Sequence, residues 1–394
     1  MSVQAGFRNT FNGSPFKGKC PDGALALVGH ASRVIAWVGA WLLCGAAAWG
    51  QEIPWHLGRL DGARAAPAAI NTAGLLPGPY PVVVAVVDSG VMPDHPSLQG
   101  RLLPGYDMVS ARLNLRKVRS GDYRPDDRDA RCGNRLFSGA FRLHGTEVAS
   151  LIAGNGVDGV VGVNPQAHIV PVRLFGACAT SRQDLLDAIA WAAGLPVAGL
   201  PENLHPARVI NLSLAGGFAV CGQDLQNLIQ RVVDKDIFVV AAAGNHFHKP
   251  LQEPANCQGV ISVGALDAQN QIAAYSALDP RTVLYAPGGG PTLSGDAQWS
   301  VNKLKVASYE ANVWGTEHPS ALYRGVGTSY AAPIVAGFIS LWLSYAPGKK
   351  PADFLNELAR FSRQVEPLPG CPNCKPRGLA SLQGINKSEP TQIQ

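Results

Sequence analysis

Apolar residues fall into short unbroken runs separated by polar or glycine-rich stretches, and the runs are of two kinds. Pro81-Val82-Val83-Val84-Ala85-Val86-Val87 is β-branched with no polar interruption, the pattern of a strand buried on both faces. Residues 167–174, 209–214, 238–243, 259–265 and 282–287 repeat that pattern. The other kind is helical. His144 opens a small-residue segment ending at Gly154. Ser181 is placed to cap a helix reaching Ala193, with Leu185, Ile189 and Ala192 on one face. Cys221 to Val233 is helical in pattern, and so is the apolar run Ile334 to Tyr345, broken only by Gly337. Pro351 to Phe361 forms a last helix, its proline suited to a first turn. Buried strands alternating with helices predict an α/β domain with a mainly parallel central sheet and helices on both faces.

The remaining stretches read as connections and ends. Residues 104–142 are polar and aperiodic, a surface loop, and Gly288 to Arg324 is a Gly/Ser-rich loop. Gly154-Asn155-Gly156-Val157-Asp158-Gly159 has the Gly-x-Gly-x-x-Gly form. It follows a helix and precedes an apolar run, the reverse of a dinucleotide-binding context, and reads as a loop. Val34 to Gly50 is uncharged and ends in Ala48-Trp49-Gly50, with Arg8, Lys17, Lys19 and Arg33 ahead of it. Residues 1–50 therefore read as a secretory signal peptide with a long n-region. The competing reading is a membrane anchor, for which the run is at the short end. Residues 51–384 read as one domain and 385–394 as a polar disordered tail.

Composition narrows the class. The chain is 46% hydrophobic and only 15% charged, which suits an exported, well-packed globule better than a disordered chain. The net charge of +5 is mild, and no basic run is interleaved with aromatics, so nucleic acid is not an expected partner. Cys20 and Cys44 fall in the segment to be removed. Six cysteines remain in a chain bound for export, which points to disulfides, although spacing alone leaves many connectivities open.

Three polar residues stand out against this frame. Gly327-Thr328-Ser329-Tyr330-Ala331-Ala332-Pro333 puts one serine among small residues at a helix start, where the helix amino end favours developing negative charge. A serine needs a base, and the base an orienting carboxylate. Asp88 ends the first buried strand, and His144 opens a helix. A fourth piece, Phe238 to Asn245, is a buried strand ending in an amide able to donate to an oxyanion.

These four segments, in the order Asp, His, Asn, Ser, resemble the subtilisin-like serine peptidases (subtilases), and among them the extracellular bacterial members. The resemblance runs from Trp55 to Gly384. It implies a subtilisin-like sheet of about seven strands and a secreted endopeptidase acting on proteins or peptides through an acyl-enzyme. It assigns Asp88 as orienting group, His144 as general base and then acid, and Ser329 as nucleophile, with Asn245 and the Ser329 N–H as oxyanion hole. Ser213, Leu214, Ala215 and Gly216 would pair with the substrate backbone as an added strand. Ala242, Ala243 and Gly244 would wall the pocket for the residue before the scissile bond, open to a large apolar side chain. Gln252 or Glu253 is expected near its floor, and Glu253 there would favour basic residues instead. The resemblance also implies the pairings Cys132–Cys178, Cys221–Cys257 and Cys371–Cys374.

No cofactor is required by this chemistry and no catalytic metal is expected. A structural calcium ion stays open, with the Asp126–Asp129 carboxylate cluster the place to look. The mature protein is expected to be a secreted monomer, not inserted in a membrane. No folding pro-domain fits between signal and domain, so folding is expected to be unaided or helped in trans. Two residues depart from the family pattern: Glu147 after Thr146, and Tyr330 directly after the nucleophile, where the family usually has Met. A bulky Tyr330 would narrow the site. The alternative function is accordingly a weak or inactive pseudopeptidase acting as a binding module.

Overall fold

A run of β-branched residues can be buried on both faces only if helices cover both faces, and that is the arrangement found. A computed structural model describes residues 54–58, 69–70, 72, 75–110, 120–125, 142–175, 180–290, 303–311, 317–365 and 376–379. Residues 1–50, read above as a signal peptide, the Asp126–Asp129 cluster, Cys132, Cys178, Cys371, Cys374 and residues 385–394 lie outside them.

The strands are β1 (Val83–Asp88), β2 (Tyr106–Asp107), β3 (His168–Arg173), β4 (Val209–Leu212), β5 (Phe238–Ala242), β6 (Val260–Leu266) and β7 (Leu284–Pro287). Those seven run parallel in the order β7-β6-β5-β4-β1-β3-β2. Two short C-terminal strands extend the β7 edge, to nine strands among the described residues of this sheet: β11 (Arg377–Leu379), parallel to β7, and β10 (Ser362–Gln364), antiparallel to β11. The expected seven thus gain two that have only three residues each, too short to carry a periodic signal.

Side chains along β1 alternate between two cores. Val84 and Val86 face one, built with helices α1 (His144–Ala153), α4 (Thr328–Tyr345) and α5 (Pro351–Phe361). Ala85 and Val87 face the other, built with α2 (Arg182–Ala192) and α3 (Gln223–Val233). α4 is the central element of the first core. Ile334, Phe338, Leu341 and Trp342 are all buried there, beside Phe354 and Phe361 of α5. Ser181 caps α2 as its sequence predicts, in a capping box with Asp184. Gly154 to Gly159 is a loop whose Gly156 has φ 96°. Asn211, nominally a glycosylation acceptor, is buried within β4.

The stretch read as a loop from Gly288 to Arg324 contains an antiparallel hairpin, β8 (Leu304–Ala311) and β9 (Glu317–Gly325). Leu304, Val306 and Ser308 alternate, all buried. The polar member of that row hid the strand. Its hydroxyl is satisfied inside the protein by Glu147 of α1, at 3.1 Å, and Ala307 N–H donates to Ser150 Oγ of the same helix at 3.0 Å.

Cys221 and Cys257 are bonded, with Cα atoms 5.1 Å apart. Among the described residues this is the one disulfide, and it is one of the three expected pairings. Among the described residues, no helix is long and apolar enough to cross a membrane.

Candidate active site

Open parallel sheets place polar groups at the carboxyl ends of their strands, and the candidate residues gather there. Asp88 ends β1, Ser213 follows β4, and Asn245 follows β5. His144 and Ser329 sit in the first turns of α1 and α4, which share one face of the sheet with α5.

Asp88 is fully buried. Its Oδ1 accepts from the Ser89 N–H at 2.7 Å, and His144 Nδ1 lies 2.9 Å from Oδ1 and 3.0 Å from Oδ2. A ring nitrogen facing a carboxylate carries the proton, so the neutral ring leaves Nε2 as its basic atom. Burial pulls the His144 pKa down, but the charge and hydrogen bond of Asp88, with the Glu147 charge behind them, outweigh it and raise the net value. An imidazole set in this way is poised to accept a proton and to hold the charge that results.

The approach of α1 to β1 is close. A Cβ on Gly145 would meet Gly90 O at 2.3 Å and Asp88 Cβ at 3.1 Å. Gly145→Ala should therefore lower stability by about 1–3 kcal/mol through overpacking and displace Asp88 from His144. A thermal melt and the catalytic rate, measured on one preparation, check both effects. An alanine variant as stable and active as the parent would show that the approach is slack.

Ser329 is partly exposed, the second residue of α4. Pro333 lies four residues on and has no N–H, so the Ser329 carbonyl lacks its helical partner. Ser213 Oγ replaces it, donating to Ser329 O at 2.7 Å, and itself receives the Asn211 amide at 2.9 Å. One proline thus ties the nucleophile's turn to the loop after β4. Gly327, two residues before Ser329, has φ 147°, and its Cβ position lies 3.2 Å from Asn245 Nδ2, so glycine suits both the backbone and the approach.

Asn245 is oriented by the backbone. The Thr328 N–H donates to its Oδ1 at 2.9 Å, as does Thr328 Oγ1. A backbone N–H can only donate, which fixes Oδ1 as the acceptor and turns Nδ2, the donor, the other way.

His144, Ser213, Leu214, Ala215, Gly216, Ala243, Gly244, Asn245 and Ser329 line a single cavity of about 490 Å³. Two expectations need correction. Ala242 does not line it; that side chain is buried in the core shared with α4. Tyr330 does not narrow it either. It is buried on α4 and donates its hydroxyl to Glu147 Oε2 at 2.5 Å.

Of the two floor candidates, Gln252 reaches the cavity and Glu253 does not. Glu253 is buried against Arg182, at 2.7 Å to Nη1, and accepts the Gly222 N–H at 2.5 Å. Burial works against its charge, but those donors more than offset it and hold the carboxyl below its usual range. Its charge is already matched by Arg182, and it lies outside the cavity. Lys249, Phe175 and Thr180 also line the cavity and were not anticipated, since nothing in their local pattern marks them. His95 is structural: it is fully buried, and its ring contacts Ser308 O and Ser320 O, each at 3.1 Å. Among the described residues, no group of three or more His, Cys, Asp or Glu could hold a metal.

Comparison with known proteins identifies the family. The model of the Subtilase family matches residues 81–365. An extracellular protease of Xanthomonas campestris is 36% identical over 281 residues, covering 67% of this chain and 44% of that protein. An extracellular basic protease of Dichelobacter nodosus is 35% identical, covering 67% and 43%. The match therefore spans less than half the length of those two relatives. A solved structure of a protease from Pseudoalteromonas arctica superposes with a TM-score of 0.64 at 32% identity, over 83% of this chain and 93% of that one.

Proposed function

The chain belongs to the subtilase family, and from that premise we propose that it is an exported serine endopeptidase. The observation that carries the reading is the His144–Asp88 contact at 2.9 Å, made where His144 shares a cavity with Ser329 and Asn245. Ser329 Oγ attacks the scissile carbonyl. His144 Nε2 takes its proton and later returns it to the leaving amine. Asp88 holds the ring and balances the imidazolium. The tetrahedral oxyanion is received by Asn245 Nδ2 and the Ser329 N–H, and water then releases the acyl group. The substrate lies as an extended strand along Ser213–Gly216, with its side chain between that loop and Ala243–Gly244. No cofactor enters this chemistry. Export is supported by the apolar run Val34 to Gly50, by the Cys221–Cys257 bond and by relatives named as extracellular.

A fluorophosphonate probe tests the central claim, because it reports an activated serine without knowledge of the substrate. Purified protein is expected to be labelled, and Ser329→Ala to lose all labelling. A folded parent protein that stays unlabelled would instead support the pseudopeptidase.

A further inference from the structure

We propose that Glu147 and Tyr330 form a buried positioning pair for His144, anchored by Ser308 of the β8–β9 hairpin and additional to Asp88. The inference rests on the peptidase reading above. His144 and Glu147 are three residues apart on α1 and so share a face. Tyr330 follows Ser329 on α4, and its ring meets the His144 ring edge-on, with centroids 5.5 Å apart and planes at 67°. Glu147 is 2% exposed and Tyr330 8%. The carboxylate has a hydroxyl on each oxygen: Tyr330 OH on Oε2 at 2.5 Å and Ser308 Oγ on Oε1 at 3.1 Å.

A buried carboxylate is costly unless its oxygens are hydrogen-bonded. These two donors, and a place in the first turn of α1 where the helix field favours negative charge, account for its being tolerated. Among the described residues no basic side chain pairs with it, so its charge is not cancelled locally. Among the described residues, the groups facing His144 include Asp88 from β1, Glu147 from its own helix, and Ser329 and Tyr330 from α4. The Glu147 charge acts on the imidazole in the same direction as Asp88, toward the protonated form. Tyr330 supplies the steric part: its ring packs on His144, and its hydroxyl cannot move without breaking the short bond to Glu147. Ser308 in turn fixes Glu147 from the hairpin. The two residues that depart from the family pattern are thus one hydrogen-bonded structure.

The test is the pH dependence of kcat and of fluorophosphonate labelling for the full chain and for Glu147→Gln, Glu147→Asp and Tyr330→Phe. A base must be neutral to act, so removing a charge that favours protonated His144 moves the acidic limb to lower pH. For Glu147→Gln the expected shift is about half to one pH unit. Glu147→Asp keeps the charge and should return the limb toward the parent's position even where kcat stays low, which a merely structural residue would not do. Tyr330→Phe, which loses one oxygen, should lower kcat by about two- to tenfold at unchanged KM. It carries the test by itself if the Glu147 variants do not fold. Superimposable pH profiles together with an unchanged kcat in Tyr330→Phe overturn the inference while leaving the peptidase reading intact. A folded parent that neither labels nor cleaves overturns both.

Discussion

Asp88→Asn is expected to lower kcat by about 10⁴ while KM changes little. Asparagine has the same shape, so the buried site at the end of β1 stays filled, but it can present its NH₂ to His144 Nδ1. The ring then protonates on Nε2, and its basic atom faces away from Ser329. With the carboxylate gone, the largest of the influences raising the His144 pKa is also lost, so residual activity should persist to lower pH than in the parent. Steady-state kinetics on a variant whose melting curve matches the parent's decides the matter. A loss smaller than about tenfold would mean that the 2.9 Å contact between Asp88 and His144 is structural, and the assignment of the base would have to be reopened.

Asn245→Ala should cost about 10²–10³ in kcat, the usual consequence of losing one oxyanion donor. This residue has a second task, because its Oδ1 receives both Thr328 N and Thr328 Oγ1. Truncation therefore also loosens the start of α4. Asn245→Asp separates the two tasks. It keeps an acceptor for Thr328, removes the donor, and places a negative charge where the oxyanion forms. If donation is the function, aspartate is at least as damaging as alanine. If scaffolding is the function, aspartate restores the rate.

Most of the frame was legible because parallel strands covered on both faces read as unbroken apolar runs, and β1, β3, β4, β5, β6 and β7 are of that kind. Asp88, His144, Asn245 and Ser329 were legible because each punctuates the edge of such a run. Other features depended on partners far away in sequence. The β8–β9 hairpin reads as polar until Ser308 is seen to spend its hydroxyl on Glu147, 161 residues away. Glu253 reads as a free carboxylate until Arg182 is placed beside it from 71 residues away. Ala242 and Ala243 are identical in sequence terms, but only Ala243 reaches the cavity. Tyr330 was read as an obstruction because the sequence does not show that it points at Glu147. Pro333, four residues after Ser329, is by contrast a signal within the sequence itself, because it leaves a carbonyl in need of a donor.

The position of α4 has a consequence for how the protein is made. Strands β1 to β7 are complete by Pro287, but the helix that lies against β1, β4, β5, β6 and β7 does not begin until Thr328. A nascent chain stopped before that point has an apolar sheet with one face covered only in part, by α1, the kind of surface that drives aggregation on the ribosome. Ser329 arrives with the helix that covers this face. The candidate nucleophile thus lies in the segment that closes the core, and a chain ended before Thr328 has neither.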